Sequence, residues 1–305
     1  MSTQPERPDG RPLVGYLGPE GTFTEEALLA SALPEAIEPV ALASIYDTVK
    51  ALRDGALSWA IVPIENSLDG SISVTLDLLA GEASDVKIVG EALLRVRHSL
   101  IAPGAIELSE IETVLTHPQV PGQCTAFLRG EIPQARILSA GSTAEAVRVV
   151  CTGGVRGHAA LGTLLAASIY GGTVIREGVE DRDDNETRFV WLARAQEATV
   201  TVPLRQQADI AEWKTSLMFW GLGAERPGWL LRCLEEFAGR RINLMKIESR
   251  PLRERMGSYM FFVDGAGRAA EQPLADAIAG LGELCEEVRV LGSYPVATPA
   301  RGGAS

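Results

Sequence analysis

Residues 13–25 read Leu13-Val14-Gly15-Tyr16-Leu17-Gly18-Pro19-Glu20-Gly21-Thr22-Phe23-Thr24-Glu25. The apolar run Leu13–Tyr16 predicts a strand, and Gly18-Pro19-Glu20-Gly21 predicts the turn that leaves it. Thr22 followed three residues later by Glu25 has the capping-box pattern and opens a helix to about Ala32. The same grammar returns downstream: a strand at Val40–Ala43, a helix opened by Ser44 with Asp47 and stopped at Gly55, then a strand at Trp59–Pro63 entering the polar loop Glu65-Asn66-Ser67. Strands alternating with helices in this way imply an α/β fold, a mostly parallel sheet covered by helices on both faces.

Beyond this first unit, a long β-type run, Ile88–Ile101, carries the chain towards a second lobe. Strands are expected there at Thr113–Thr116, Arg136–Ser139 and Ala159–Leu161, with helices beginning near Pro121, Ser142 and Thr163. Thr187–Ala193 reads as a late, β-rich strand that returns to the first lobe. Two such lobes enclose a cleft, the usual place for a small-molecule site. The two-lobed region is expected over residues 13–196, with the second lobe at about 103–184.

The segment 197–212, polar and carrying Pro203, Gln206 and Gln207, reads as a linker. After it the order becomes β-α-β-β-α-β: strands at Thr215–Leu222, Ile242–Ser249, Tyr259–Val263 and Val288–Leu291, helices at Pro227–Ala238 and Pro273–Leu281. This is the ferredoxin-like order, a common frame for ligand-sensing modules, expected over 213–295. Residues 1–12 and 298–305, rich in Pro, Gly, Arg and Ser, are expected to be disordered.

Composition excludes several function classes. With 28 Lys and Arg against 40 Asp and Glu, the net charge of −12 repels nucleic acid and anionic membranes. No apolar stretch is long enough to span a bilayer. The first thirteen residues hold no apolar signal core, so a cytoplasmic protein is expected. Cys124, Cys151, Cys233 and Cys285 lack CxxC spacing and read as reduced thiols, mostly core filler. The histidines at 98, 117 and 158 lack metal-ligand spacing, so neither metal nor cofactor is expected. The glycines match neither GxGxxG nor GxxxxGK[ST], and no GxSxG elbow is present.

Small hydroxyl and amide residues gather at four β-to-α junctions: Thr22 and Thr24; Asn66, Ser67 and Ser71; Ser142 and Thr143; and Thr163. In open α/β sheets such junctions converge beyond the carboxyl ends of the strands, where ligands bind. Free N–H groups at helix starts favour carboxylates and phosphates there. Each residue alone is better read as an ordinary helix cap. Their repetition on one rim points to an anion-binding cleft without naming the anion.

Five segments in order carry a family resemblance: Gly15-Tyr16-Leu17-Gly18-Pro19-Glu20-Gly21-Thr22-Phe23, Val62-Pro63-Ile64-Glu65-Asn66-Ser67, Thr116-His117-Pro118-Gln119 with Gln123-Cys124, Ser142-Thr143-Ala144, and Asn185-Glu186-Thr187-Arg188-Phe189. Together they resemble prephenate dehydratase. Glu248-Ser249-Arg250-Pro251 resembles the phenylalanine-responsive ACT regulatory domain attached to these enzymes. The resemblance runs from about Leu13 to Pro295.

The resemblance implies loss of the ring hydroxyl of prephenate as water and of a carboxylate as CO2, giving phenylpyruvate for phenylalanine synthesis. Aromatisation drives the reaction, so no redox cofactor or metal is required. Thr187 matches the family's catalytic threonine, and Glu65 and Asn66 are the other catalytic candidates, Glu65 as an acid if burial raises its pKa. Arg188 is expected to pair with a substrate carboxylate or brace its strand, and Phe189 to pack under the site. Ser67, Gln119, Gln123, Ser142, Thr143 and Thr22 are candidate substrate orienters, and His117 a weaker one.

For an amino-acid effector, L-phenylalanine by resemblance, the candidates are Gly228, Asn243, Leu244, Glu248, Ser249 and Arg250, at an interface that implies a homodimer or homotetramer. Gly228-Trp229-Leu230-Leu231 departs from the family's Gly-Ala-Leu-Val, and Gly257-Ser258 replaces its aromatic-acidic pair. Trp229 therefore fills part of the effector pocket or part of the helix packing. Two other readings stand beside the first: an arogenate-preferring or dual cyclohexadienyl dehydratase, and a non-catalytic amino-acid-binding sensor on the same frame.

Overall fold

In the computed structural model, which describes residues 10–198, 202–205, 212–221, 226–253 and 257–297, the opening stretch forms β1 (Leu13–Leu17) and α1 (Phe23–Ser31). The first sheet adds β2 (Glu38–Leu42), β3 (Trp59–Asn66), β5 (Val86–Arg95) and β11 (Glu186–Arg194) in the order β2-β1-β3-β11-β5, with the two-residue β4 (Gly70–Ser71) beside β3. β1 runs parallel to β2 and β3, whereas β11 lies antiparallel between β3 and β5. Successive strand residues point to opposite faces. Tyr16, Ile61, Phe189 and Trp191 therefore pack beside Ala27 and Leu28 of α1. Val62, Val190 and Leu192 pack with residues of α2 (Ile45–Arg53) and α3 (Ser73–Ala80) on the other side.

The chain leaves β5 and enters a second sheet, β6 (Ser99–Ala102), β7 (Thr113–Thr116), β8 (Arg136–Ser139), β9 (His158–Gly162) and β10 (Thr173–Arg176), ordered β10-β6-β9-β7-β8. Its helices are α4 (Thr125–Gly130), α5 (Thr143–Gly153) and α6 (Leu164–Tyr170). β11 then brings the chain back to the first sheet, making the two-lobed α/β region expected from the alternation. A mostly parallel sheet holds only in part: β11 opposes both its neighbours, and β6 is antiparallel to β9 and β10. Cys124 fills the core of the second lobe, and burial pushes its thiol up to about 12.

The C-terminal part is β12 (Trp213–Trp220), α7 (Trp229–Ala238), β13 (Leu244–Pro251), β14 (Tyr259–Ala266), α8 (Leu274–Leu284) and β15 (Glu287–Pro295). Its antiparallel sheet is ordered β13-β14-β12-β15, which is ferredoxin-like. One face carries α7 and α8, packed through Leu217, Phe219, Phe237, Val263 and Leu281. The other face offers Met218, Met260, Phe262, Leu291 and Tyr294 to the core of the first lobe. A Cβ on Gly292 of β15 would lie 2.0 Å from the Ile88 carbonyl oxygen of β5, so only glycine lets the two backbones approach this closely.

Pro12 accepts a hydrogen bond from Glu38 N at 3.0 Å and Arg11 pairs with Glu38 at 2.7 Å, so residues 11 and 12 are ordered rather than part of a disordered end. The remaining expected ends, 1–9 and 298–305, lie outside the described residues, as do Gln206 and Gln207 of the expected linker. Among the described residues no helix is long and apolar enough to cross a membrane.

Candidate active site

A cleft of about 300 Å³ opens between the lobes. The first lobe contributes Thr22, Phe23 and Thr24 at the start of α1 and Asn66 at the end of β3; the second contributes Gln119, Gln123, Ser142 and Thr143. Thr187, at the start of β11, lies where the chain returns between them.

Local hydrogen bonds shape these entries. Thr22 caps α1, accepting from Glu25 N at 3.4 Å, and donates to Leu17 O at 2.8 Å. Glu25 accepts from Gly21 N. Gly21 adopts φ +85°, and a Cβ there would sit 2.8 Å from Ala166 of α6, so glycine brings the α1 entry against the second lobe. Thr163 donates to Gly21 O at 2.7 Å and Tyr170 to Glu20 O at 2.9 Å, fastening that contact. Ser142 caps α5 by accepting from Glu145 N at 3.0 Å. Among the described residues no hydrogen bond occupies the backbone N–H groups of Phe23 and Thr24, or of Thr143 and Ala144. Two helix starts, one from each lobe, thus present free donors and positive dipole ends to the cleft. Among the described residues no Lys or Arg lines it, and Asp69 is the one carboxylate.

The amides form a directed chain. Asn66 Oδ1 accepts from Leu68 N and Asp69 N, both at 2.9 Å, which leaves Nδ2 to donate to Asn185 Oδ1 at 2.8 Å and Thr187 Oγ1 at 2.9 Å. Asn185 Nδ2 donates to Gln123 Oε1 at 3.3 Å, and His98 Nε2 donates to the same oxygen at 3.1 Å. Burial lowers the pKa of His98, so the ring is neutral with the proton on Nε2, and the buried Nδ1 has no hydrogen-bond partner among the described residues. It packs edge-to-face with Phe23, the ring centroids 5.5 Å apart. Thr187 Oγ1 thus receives a hydrogen bond, while its own proton has no acceptor among the described residues.

Of the expected site residues, Thr22, Asn66, Gln119, Gln123, Ser142, Thr143 and Thr187 line the cleft, as does His117. Phe189 lies in the core on the α1 face. Glu65 and Arg188 do not line it. They are register partners in the β3–β11 pair, and alternation turns both to the opposite face. There Glu65 meets Lys246 at 3.0 Å and Arg188 at 3.3 Å, while Arg188 meets Asp264 at 2.6 Å. Glu65 as acid and Arg188 as carboxylate clamp are corrected accordingly; bracing, the other expectation for Arg188, is what its contacts support. Ser67 also falls outside the lining: its hydroxyl accepts from Glu186 N at 2.9 Å and holds the start of β11. His98, Asn185 and Asp69 were missed. The signal for His98 was a lone ionisable ring beside the apolar end of the run Ile88–Ile101.

The expected effector residues do not converge on one open pocket. Glu248 accepts from Ser71, and Arg250 pairs with Asp77 at 2.8 Å, so both side chains face the first lobe. Leu244 packs into the core beneath α7 and α8. Asn243 O accepts from Ala266 N at 2.9 Å, Gly228 caps α7 at φ +81°, and Ser249 is exposed. Trp229 is buried between Phe219 and Phe261 and donates to Leu284 O at 2.8 Å, placing it in the helix packing.

Comparison with known proteins places this geometry. The family model for prephenate dehydratase matches residues 14–197. A prephenate dehydratase of Mycobacterium bovis is 36% identical over 297 residues, covering 95% of this chain and 88% of that protein. The crystal structure of prephenate dehydratase from Arthrobacter aurescens in complex with L-Phe superposes with a TM-score of 0.80 at 33% identity, covering 94% of this chain and 92% of that one. GqqA, described as a novel type of quorum-quenching acylase, superposes with a TM-score of 0.79 at 27% identity, covering 93% and 98%.

Proposed function

This chain belongs to the prephenate dehydratase family and is a hydro-lyase, and from that premise we propose that it converts prephenate to phenylpyruvate in the interlobe cleft, with Thr187 at the leaving hydroxyl. One observation carries the assignment: Asn66 Nδ2 donates to Thr187 Oγ1 at 2.9 Å. A hydroxyl has one proton and two acceptor lone pairs. With a lone pair engaged by Asn66, the proton is left to donate into the cleft. A threonine hydroxyl is too weak an acid to release that proton at neutral pH, so it assists departure by hydrogen bonding.

The substrate is a dianion. In a cleft that no Lys or Arg lines among the described residues, its carboxylates are met by the N–H groups at the starts of α1 and α5, whose dipoles favour negative charge. Ser142, Thr143, Thr22 and Gln119 orient it, while Gln123 and Asn185, tied to neutral His98, keep Asn66 aimed. Holding both carboxylates while the ring hydroxyl faces Thr187 reduces the entropic part of the barrier.

Residues 13–196 form the catalytic region, 197–212 the linker and 213–295 a phenylalanine-sensing ACT domain in this reading. The L-Phe complex of the Arthrobacter relative supports the effector's identity. In this reading a second copy of the chain completes the effector site, and the exposure of Met245, Ile247 and Tyr259 along the outer strand β13 and its neighbour supports it, as an open edge suited to pairing.

Asp69 favours a second reading. A carboxylate within the cleft suits the ammonium of arogenate, which replaces the keto group of prephenate. Purified protein supplied with prephenate or arogenate, with phenylpyruvate and phenylalanine followed, separates the readings. Turnover of prephenate is expected; preferential turnover of arogenate establishes the second, and turnover of neither refutes both.

A further inference from the structure

We propose that Asp264, on the C-terminal domain, is a positioning residue for the dehydration: it holds Arg188, and through Arg188 the turn of β11 that aims Thr187 into the cleft. The inference rests on the reading of Thr187 as the group at the leaving hydroxyl.

Thr187 and Arg188 are adjacent on β11 and point to opposite faces, one into the cleft and one into the interface with the C-terminal domain. Immediately afterwards the register with β3 shifts: Arg188 pairs with Glu65 and Phe189 with Pro63, which leaves Ile64 of β3 as the extra residue. A bulge leaves a residue without its regular partner and re-aims the side chains beside it. On the β3 side the step from Thr187 to Phe189 thus faces an irregular strand, and what holds Arg188 bears on the direction of Thr187.

What holds it most closely is Asp264. Arg188 Nη1 lies 2.6 Å from Asp264 Oδ2, and the two side chains are only 8% and 6% exposed. The contacts within the catalytic region are longer. Glu65 Oε2 is 3.3 Å from Arg188 Nε without the alignment of a hydrogen bond, and Glu91 Oε2 is 3.4 Å from Nη1. Glu91 is itself engaged by Lys214 at 3.0 Å and by Ala297 N at 2.9 Å. Asp264 is fixed in turn: Ser216 of β12 donates to its Oδ1 at 2.5 Å, and the Ser216 oxygen meets the Tyr294 hydroxyl of β15 at 2.5 Å.

Ion pairing has the same logic. The catalytic region brings Arg188 with the carboxylates Glu65 and Glu91; the C-terminal domain adds Lys214 and Lys246 with Asp264 and Glu248, so each of three cations meets at least one of four anions. Buried charges are tolerated when each is paired, and removing one partner leaves the other exposed to the low-dielectric interior. Asp264 also pairs in register with Lys246 on β13, so displacement of that outer strand reaches Arg188 through one backbone pair.

The test uses the full chain with Asp264→Asn, which keeps side-chain size and removes the charge, assayed on prephenate with the folded fraction set by near-UV circular dichroism. We expect kcat to fall by about tenfold or more with KM within about twofold, because misplacement of Thr187 affects the transition state more than substrate binding. In an Asn66→Ala background, where the hydroxyl is already released, the same substitution is expected to add less than about twofold. A kcat within about twofold of wild type, a loss confined to KM, or full additivity with Asn66→Ala overturns the proposal. Should Asp264→Asn not fold, Ser216→Ala removes one hydrogen bond to Asp264 and is expected to lower kcat about threefold; unchanged kcat overturns the proposal. Active wild type with an unaffected variant refutes the positioning alone. A wild type inactive on prephenate refutes the reading beneath it as well.

Discussion

Asn66 and Thr187 face each other across the β3–β11 pair, and the amide of the first donates to the hydroxyl of the second at 2.9 Å. The direction of that bond matters, because Asn66 Oδ1 is already committed to Leu68 N and Asp69 N and Nδ2 alone is free to reach Thr187. Asn66→Ala is expected to lower kcat by roughly ten- to a hundredfold, since the hydroxyl loses its fixed orientation. Steady-state kinetics on prephenate check this, with KM changing far less than kcat.

His98 donates from Nε2 to Gln123 and is neutral because burial lowers its pKa. Folding therefore favours the neutral ring. That stability is present above the ordinary imidazole value of about 6.5 and is lost as pH falls through the lowered value in the folded protein. Melting temperatures of wild type and His98→Gln, followed downward from neutral pH, are expected to converge as the wild-type ring becomes charged.

Glu26 responds in the opposite direction. Burial raises its pKa from 4.5 to about 7, against the smaller effects of hydrogen bonds from Leu165 and Thr163. The folded protein holds the proton more tightly, so the stability is present below 4.5 and lost as pH rises through about 7. Glu26→Gln is expected to melt higher than wild type above that pH, on the order of 3 °C, with the gap closing in acid. A constant gap across the range would show that Glu26 does not titrate there.

Gly292 meets Ile88 so closely that an added methyl has no room, and both neighbours are strand backbone. Gly292→Ala is expected to cost about 1–3 kcal/mol through overpacking. Because the contact joins the C-terminal sheet to β5, urea unfolding should resolve an earlier transition of the C-terminal domain. A single transition at the wild-type midpoint would show that the domains do not depend on this approach.

Much of this was legible in the chain, and the misses have physical causes. The strand–helix alternation from Leu13 and the β-α-β-β-α-β order after Thr215 predicted both architectures, because they rest on local periodicity and caps. Thr22, Thr24, Asn66, Ser142 and Thr143 converge on the cleft as their junction positions suggested, and Gln123 and Thr187 line it as the family resemblance implied. Assigning Glu65 and Arg188 to the same cleft overlooked strand alternation: neighbours of Asn66 and Thr187 in extended backbone face the other way. Their true partners, Lys246 and Asp264, lie in a separate part of the chain, and only packing brings them together. Trp229 belongs to the core because its indole N–H donates to Leu284 O, a partner 55 residues further along that no local pattern displays.

The most direct test of the central claim is the turnover of prephenate by Thr187→Ala beside Thr187→Ser and wild type. The account predicts that kcat of Thr187→Ala falls by about a hundred- to ten-thousandfold while Thr187→Ser, which keeps the hydroxyl, retains most activity. An alanine variant that forms phenylpyruvate at the wild-type rate would contradict it.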